Sequence, residues 1–141
     1  MSKIAVVYWS GTGNTEMMAN AVAKGAQDKG AETSLFTPSE FEPSMSDDFD
    51  AIAFGCPAMG AEVLEEGEFE PMFAAMESRL DGKRIGLFGS YGWGDGEWMR
   101  NWEETCKNDG ALLVSEPVIC CGTPDDDSMS ACKTLGGTLV G

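Results

Sequence analysis

Positive charge is scarce in this sequence. Nine lysines and arginines stand against 24 aspartates and glutamates, histidine is absent, and the formal net charge of the 141 residues is −15 at pH 7. A field of this sign repels nucleic acids and anionic membrane surfaces, so the composition argues against both as partners and favours basic protein surfaces. Solubility alone is the alternative explanation of so acidic a chain.

Long hydrophobic runs and paired cysteine motifs are also missing. No apolar stretch approaches the ~20 residues that span a bilayer. Ser2 and Lys3 lead into a short strand without a signal peptide, so we expect a cytoplasmic protein. Five cysteines occur without a CxxC pair, which argues against a zinc or iron–sulfur site and for reduced, mostly buried thiols. In the adjacent pair Cys120 and Cys121, at a strand end, one thiol should face inwards and the other outwards.

Length and patterning predict one α/β domain spanning residues 1–141. Strand-like and helix-like segments alternate, as in a doubly wound parallel sheet. The predicted strands are Ile4–Tyr8, Glu32–Phe36, Ala51–Gly55, Arg84–Gly89 and a fifth, Leu112–Val114 with Val118–Cys121, interrupted at Pro117. The predicted helices are Asn14–Lys29, Phe69–Leu80, Glu97–Asp109 and an aspartate-capped Asp125–Val140, whose last turns are weakened by Gly136 and Gly137. The segment Thr37–Asp48 is predicted to be loop with at most one helical turn.

The turn after the first predicted strand has the composition of a phosphate cradle. Glycines at its second and fourth positions allow a close backbone approach, and the other residues supply hydroxyl and amide donors. The lysine of the common phosphate loop is missing, which argues against ATP or GTP turnover. A phosphate here must be bound by N–H groups, hydroxyls and the helix N-terminus. An ordinary polar turn with a helix cap is the alternative. The residues are Ser10, Gly11, Thr12, Gly13, Asn14 and Thr15.

Two further turns follow the third and fourth predicted strands. The first contains Met59 beside Gly60, and the second contains Trp93 between Gly92 and Gly94. Each large side chain, taken alone, could fold onto the protein's own core. Because ligands bind beyond the carboxyl ends of parallel strands, the two together predict a flat aromatic ligand held between a thioether and an indole.

A phosphate at one end and a stacked ring at the other describe flavin mononucleotide, FMN. Over essentially its whole length the chain resembles the flavodoxins, in particular the short-chain type of clostridia. The resemblance implies a three-layer α/β sandwich with a five-stranded parallel sheet in the order 2-1-3-4-5 and helices on both faces, with FMN at the switch point. The matching stretches are Tyr-Trp-Ser-Gly-Thr-Gly-Asn-Thr-Glu from Tyr8, Ala-Met-Gly-Ala-Glu-Val-Leu-Glu-Glu from Ala58, Glu-Phe-Glu-Pro from Glu68 and Gly-Ser-Tyr-Gly-Trp-Gly-Asp-Gly from Gly89.

The resemblance also implies roles for individual residues. The first loop should bind the phosphate, Met59 and Trp93 should cover the two ring faces, and Gly60 should accept a hydrogen bond from flavin N5. Glu62 should contact the pyrimidine side. Two residues, Pro57 and Ala61, differ from the residues that flavodoxins usually have at these positions. The implied FMN-binding residues are Ser10, Gly11, Thr12, Gly13, Asn14, Thr15, Ala58, Met59, Gly60, Glu62, Ser90, Tyr91, Gly92 and Trp93.

By the same resemblance the chain is predicted to be an electron-transfer protein without catalytic residues or a metal. FMN would pass between its oxidised, neutral semiquinone and anionic hydroquinone states at low potential. The protein is expected to be a monomer whose acidic rim, Glu62, Glu65, Glu66 and Asp95, docks basic redox partners. A small FMN-dependent NAD(P)H–quinone reductase is the alternative, although the chain is short and lacks histidine. A signalling receiver domain is a second alternative, but it needs acidic residues at the end of the first strand and a lysine at a later strand end, and the sequence has neither. A third alternative is an interaction domain that has lost its cofactor, and the intact pair of Met59 and Trp93 argues against it.

Overall fold

Strands and helices alternate along the chain in a computed structural model that describes residues 2–11, 13–59, 63–92 and 94–140. The predicted strand positions are confirmed, and two strands match to the residue. The elements are β1 Lys3–Tyr8, α1 Asn14–Asp28, β2 Glu32–Phe36, β3 Ala51–Gly55, α2 Phe69–Met76, β4 Arg84–Tyr91, α3 Glu97–Asn108, β5 Leu112–Leu113, β6 Val118–Cys121 and α4 Asp126–Val140.

The sheet is parallel and has the strand order β2-β1-β3-β4-β5, as predicted. The expected fifth strand is two strands, because the chain breaks around Pro117, which has no N–H to donate to a ladder. β5 pairs with the start of β4, at Arg84 and Ile85, and β6 pairs with its end, from Phe88 to Tyr91. The second piece therefore reaches the edge of the sheet where the ligand is expected.

The central strands are buried on both faces, so successive side chains enter two different cores. In β1, Ala5 and Val7 pack with the residues of α2 and α3, whereas Ile4 and Val6 pack with those of α1 and α4. The apolar run of β1 does not alternate with polar residues, so its side chains pack against helices on both faces of the sheet, and this gives the three layers.

The helix ends differ from the prediction by a residue or more. α1 and α3 each end one residue early. The helix predicted to reach Leu80 ends at Met76 and continues as a 3₁₀ turn, Glu77–Arg79. The segment predicted to be mostly loop contains two 3₁₀ helices, Pro38–Glu40 and Pro43–Asp48. Proline at the first position of each fixes the backbone for a helical turn.

The cap of α4 is confirmed, and the weakness expected near its end is not found. The Asp125 carboxylate accepts a hydrogen bond from the Ser128 N–H at 2.8 Å, and the helix continues through its glycine pair to Val140. A Cβ on Gly136 would overlap the carbonyl oxygen of Val22 in α1, and one on Gly25 would overlap the carbonyl oxygen of Lys133 in α4. The glycines therefore allow the two helix backbones to touch.

The thiols follow the prediction. Four cysteines are buried, and of the adjacent pair Cys120 is buried and Cys121 is exposed. Burial raises the pKa of the Cys56 and Cys106 thiols to about 12, which keeps them protonated and unreactive.

Two carboxyl groups approach each other where α2 and α3 end. Asp109 has a buried carboxylate oxygen, Oδ2, without a hydrogen-bond partner among the described residues. Burial, a hydrogen bond with Asp109 and the charges of Asp109 and Glu70 raise the pKa of Glu77 to about 7. Glu77 therefore keeps its proton up to about pH 7 beside the Asp109 carboxyl group.

We expect Glu77→Gln to make the protein more stable in weak base and to leave it little changed in acid. The unfolded Glu77 has its ordinary pKa of 4.5, so between about pH 4.5 and 7 only the folded chain keeps the proton. Wild-type stability therefore falls as pH rises through this window. Glutamine mimics the protonated form, and the gain at pH 8 should be about 1 kcal/mol after allowance for solvent screening. Urea unfolding at pH 5 and 8 measures it, with Glu104→Gln as control; an equal change at both pH values contradicts the expectation.

Candidate functional site

The three predicted turns meet in one cavity at the carboxyl ends of β1, β3 and β4. The cavity has a volume of about 250 Å³. It contains residues of the loop after each of these strands and one residue that follows β6. Its lining residues are Trp9, Ser10, Gly11, Asn14, Thr15, Pro57, Ala58, Met59, Ser90, Tyr91, Gly92 and Gly122.

The loop after β1 is folded back onto the start of α1. The Ser10 hydroxyl accepts hydrogen bonds from the N–H groups of Gly13, at 3.1 Å, and Glu16, at 3.3 Å. Gly13 has a φ of 96°, in the left-handed region, and has no side chain of its own that could cap the helix. First-turn N–H groups have no partner within a helix, and Ser10 bonds that of Glu16, so the remaining first-turn N–H groups are the donors that this end of α1 offers to an anion.

Two buried hydroxyls join this helix end to the sheet. Thr15 is 1% exposed and Ser90 is 5% exposed, and their hydroxyl oxygens are 3.4 Å apart. A hydroxyl has one donor and two acceptor positions, so the pair retains hydrogen-bonding capacity for a ligand oxygen in the cavity beside it.

The loop after β3 is held from both sides. The Ala58 N–H donates to the Ser90 carbonyl at 3.0 Å, and the Met59 N–H donates to the Val63 carbonyl at 3.0 Å. The second bond ties Met59, which lines the cavity, to Val63. Four of the predicted site residues, Thr12, Gly60, Glu62 and Trp93, lie outside the described residues, as does Ala61.

The predicted site residues did not include three lining residues, Trp9, Pro57 and Gly122, of which Pro57 had been noted only as a departure from the family pattern. The ring of Trp9 lies against Gly11, where an added Cβ would be 3.0 Å from the indole. Gly122 donates its N–H to the Tyr91 carbonyl at 2.8 Å. A signal for Gly122 was available, because a strand that pairs with the end of β4 brings its following residue to the same edge of the sheet.

The chemistry of the cavity fits a phosphate joined to a flat ring. None of its described lining residues carries a charged side chain, so an anion there is bound by hydroxyls, amides and the end of α1. The same cavity is also lined by Met59, which has a thioether side chain, and Tyr91, which has a phenol side chain. Space for a ligand exists above Gly92, where an added Cβ would meet no atom within 4 Å. These groups fit FMN.

The model of the Flavodoxin family matches residues 6–134 of the sequence. The chain belongs to the flavodoxin family. This confirms the predicted resemblance, and with it the prediction of a small FMN-binding electron carrier that is not an enzyme. The reductase alternative finds no better support.

Named flavodoxins resemble the chain over nearly its full length. The flavodoxin of Clostridium beijerinckii is 46% identical over 121 residues, which are 86% of this chain and 88% of the relative. That of Megasphaera elsdenii is 42% identical over 136 residues, 94% and 95% of the two chains. The solution structure of the two-electron reduced Megasphaera elsdenii flavodoxin matches with a TM-score of 0.89 and 40% identity, covering 97% of this chain and 98% of that one.

Two acids of the rim predicted from the flavodoxin resemblance are engaged within the protein. The Glu65 carboxylate accepts from the N–H groups of Gly67, Glu68 and Phe69 at 2.7, 2.7 and 2.8 Å, at the start of α2. Burial acts to raise the pKa of Glu65, but these three donors outweigh it and lower that pKa. Glu65 therefore acts as a cap of α2. Asp95 forms an ion pair with Arg100 at 2.9 Å, and this partner lowers the pKa of Asp95.

We expect Glu65→Ala to lower the free energy of unfolding by about 1 to 2 kcal/mol, because three N–H groups at the start of α2 lose their acceptor. Glu66→Ala, at the exposed neighbouring position, should change it by less than about 0.5 kcal/mol. Urea unfolding at pH 7 measures both variants. Equal effects at the two positions would show that the cap does not stabilise α2.

Proposed function

We propose that this chain is a low-potential, one-electron shuttle that holds FMN across the cavity at the carboxyl ends of β1, β3 and β4. The observation that carries the proposal is that one cavity is lined both by the uncharged donor set at the start of α1 and by Met59 and Tyr91. When bound, FMN supplies the one-electron redox chemistry. The residues of the chain would bind FMN, orient it and determine the reduction potential of each one-electron step.

Phosphate binding is assigned to Ser10, Thr12, Asn14 and Thr15, together with the backbone of Gly11 and Gly13. The positive end of the α1 dipole attracts the phosphate without an ion pair. The buried contact between Thr15 and Ser90 supports this assignment, because it fixes the helix end relative to the sheet before the ligand binds.

Ring binding is assigned to the two loops after β3 and β4. Met59 and Trp93 would cover the ring faces, while the backbone of Tyr91, Gly92 and Trp93 would meet its polar edge. The Gly60 carbonyl would accept a hydrogen bond from flavin N5 when that nitrogen is protonated, and Glu62 would bond the pyrimidine side. The bond that closes the loop from Met59 to Val63 supports this arrangement, since it limits the positions open to Met59.

The acidic character of the chain favours a low potential for the second electron, which adds negative charge to the bound ring. Five glutamates occur between Glu62 and Glu70. A unit charge about 10 Å away costs about 1.7 kcal/mol at an effective dielectric constant of about 20, which corresponds to roughly 70 mV in a one-electron step. Several carboxylates together lower the potential by roughly 100 mV or more, less the effect of salt.

Partners, location and assembly follow from the same charge and from the family. We propose that the electron donors and acceptors carry basic docking surfaces, because a net charge of −15 attracts them and repels a second copy. We further propose a monomeric, cytoplasmic carrier consisting of the single domain 1–141. No helix among the described residues is long and apolar enough to cross a bilayer.

Anaerobic reduction of the purified protein with dithionite tests the proposal. The visible spectrum should change in two separate one-electron steps, and denaturation should release FMN. A protein that carries no flavin and fails to bind added FMN would overturn the assignment. Oxidation of NAD(P)H by the same sample would instead favour the reductase alternative.

A further inference from the structure

Cys56 lies where the chain leaves β3 and turns towards the cofactor cavity. The residue is fully buried, yet Pro57, Ala58 and Met59, which follow it directly, all line the cavity. We call residues 57–65 the cavity segment, of which the structure describes 57–59 and 63–65. Cys56 therefore belongs to the core, while the residues after it belong to the proposed cofactor site.

The thiol of Cys56 contacts both ends of the cavity segment. Its sulfur accepts a hydrogen bond from the Glu65 N–H at 3.3 Å, and its S–H donates to the Pro57 carbonyl at 3.5 Å. A thiol is a weak donor and a weak acceptor, and this one acts as both. One buried side chain thus joins the first residue of the segment to the last.

Glu65, at the far end of the segment, is held from a second direction. Its carboxylate accepts hydrogen bonds from the N–H groups of Gly67, Glu68 and Phe69 at the start of α2. The N–H of Glu65 is bound to the end of β3 through Cys56, and its carboxylate is bound to α2. This end of the cavity segment is therefore fixed relative to both the sheet and the helix.

The backbone of Cys56 is fixed by two further elements. Its carbonyl accepts a hydrogen bond from the indole Nε1 of Trp98 in α3 at 3.2 Å, and its N–H donates to the Phe88 carbonyl in β4 at 3.1 Å. A Cβ on Gly89 would overlap the Cys56 carbonyl oxygen, so the glycine makes room for this contact. A residue that only filled space in the core would not need these partners.

Between its two ends the cavity segment is less firmly attached to the rest of the protein. The Ala58 N–H donates to the Ser90 carbonyl at 3.0 Å, whereas the Met59 N–H donates to Val63, which belongs to the same segment. The position of Met59 at the cavity therefore depends on how firmly the ends of the segment are held.

We propose that Cys56 is a positioning residue that holds both ends of the cavity segment and thereby raises the reduction potential of the first one-electron step. In the proposed function, the Gly60 carbonyl accepts a hydrogen bond from flavin N5 only after the first electron, when that nitrogen is protonated. A segment with fixed ends loses little freedom in forming this bond, so the bond favours the reduced ring more strongly. The inference rests on the proposed function, because it names what sets a potential of the same carrier.

Matched cysteine variants test the proposal in a redox titration of the FMN-loaded protein against reference dyes. Cys56→Ala should reduce the affinity for one-electron-reduced FMN, relative to oxidised FMN, about fivefold, which lowers the first potential by about 40 mV. The second potential should hardly change, because N5 keeps its proton in that step. Cys106→Ala makes the same change at a fully buried thiol of the same core, outside the cavity lining, and should shift neither potential. No shift, equal shifts of both potentials, or equal shifts in the two variants overturn the proposal.

A pair of tryptophan variants tests the same clamp without altering Cys56. Trp98→Phe removes the indole N–H that binds the Cys56 carbonyl, whereas Trp102→Phe removes one that has no acceptor among the described residues. Both side chains are buried on α3 in the same core, so the loss of volume is alike. We expect Trp98→Phe to lower the affinity ratio about threefold and Trp102→Phe to leave it unchanged. Equal effects of the two variants contradict the role of Cys56.

Amide hydrogen exchange in the apoprotein separates this inference from the proposed function. The Glu65 N–H should exchange at least about tenfold faster in Cys56→Ala than in the wild type, because it has lost its acceptor, and an unchanged rate overturns the proposal. If flavin binds and the first potential does not move, the positioning role is wrong and the carrier stands. If flavin fails to bind while the Glu65 N–H responds, Cys56 holds the segment, but the carrier and the effect on its potential are both wrong.

Discussion

Replacing Gly136 by alanine is expected to lower the free energy of unfolding by about 3 kcal/mol, whereas the same change at Gly137 is expected to raise it slightly. A Cβ on Gly136 would overlap the Val22 carbonyl oxygen and come within 2.9 Å of the Ala26 nitrogen. Both atoms belong to the backbone of α1, so the two helices would have to separate. Overpacking against backbone costs at the upper end of the 1 to 3 kcal/mol seen in cores.

The neighbouring glycine supplies the control. A Cβ on Gly137 would meet chiefly the side chain of Lys29, at 3.3 Å from its Cε, and a lysine side chain is flexible enough to move. The remaining effect is helix propensity, which favours alanine over glycine by up to about 1 kcal/mol. Thermal and urea unfolding of the two variants should therefore give changes of opposite sign. Similar losses at both positions would mean that Val22 does not set the approach of the helices.

Asn14→Asp is expected to weaken FMN binding by about 100-fold. The change is nearly isosteric, and an acidic residue at the start of α1 is compatible with the helix dipole, so folding should be preserved. It places a negative charge next to the proposed phosphate position. Like charges about 4 Å apart repel by about 4 kcal/mol at an effective dielectric constant of about 20. Solvent exposure and local rearrangement reduce this repulsion to about 2.7 kcal/mol, which corresponds to a roughly 100-fold higher dissociation constant.

Riboflavin, which lacks the phosphate, is the decisive comparison. Quenching of flavin fluorescence on titration with the apoprotein gives both dissociation constants. The Asn14→Asp variant should bind riboflavin as the wild type does, and Asn20→Asp, exposed further along α1, should bind both ligands normally. Equal weakening toward FMN and riboflavin would place the phosphate elsewhere and remove Asn14 from its proposed role.

Apolar runs and turn residues predicted most of the fold. β2 and β3 match the prediction to the residue, because short apolar or β-branched segments between turns leave few alternatives. The lengths of the helices were less predictable, since the last turn of a helix depends on packing as well as sequence. Helix propensity did not predict that α4 continues through Gly136. The glycine is needed there because the helix contacts α1, which lies more than 100 residues earlier in the sequence.

The candidate site was likewise predicted in part from the sequence. The convergence of three turns followed from the rule for parallel sheets, and the described lining contains residues of all three. The docking role of Glu65 stays a prediction, but its role as a helix cap was not foreseen, because a glutamate four residues before a helix gives no local sign that its carboxylate will cap that helix.

The backbone contact between α1 and α4 also bears on the order in which the protein acquires its cofactor during synthesis. The phosphate cradle forms at the start of α1, while the helix that packs along α1 comes about 100 residues later in the chain. Until residues 126–140 have emerged, Met18 and Val22 lack part of their cover, and contacts so distant in sequence form late because loop closure must precede them. We therefore expect the cradle to bind flavin only after α4 has packed on α1.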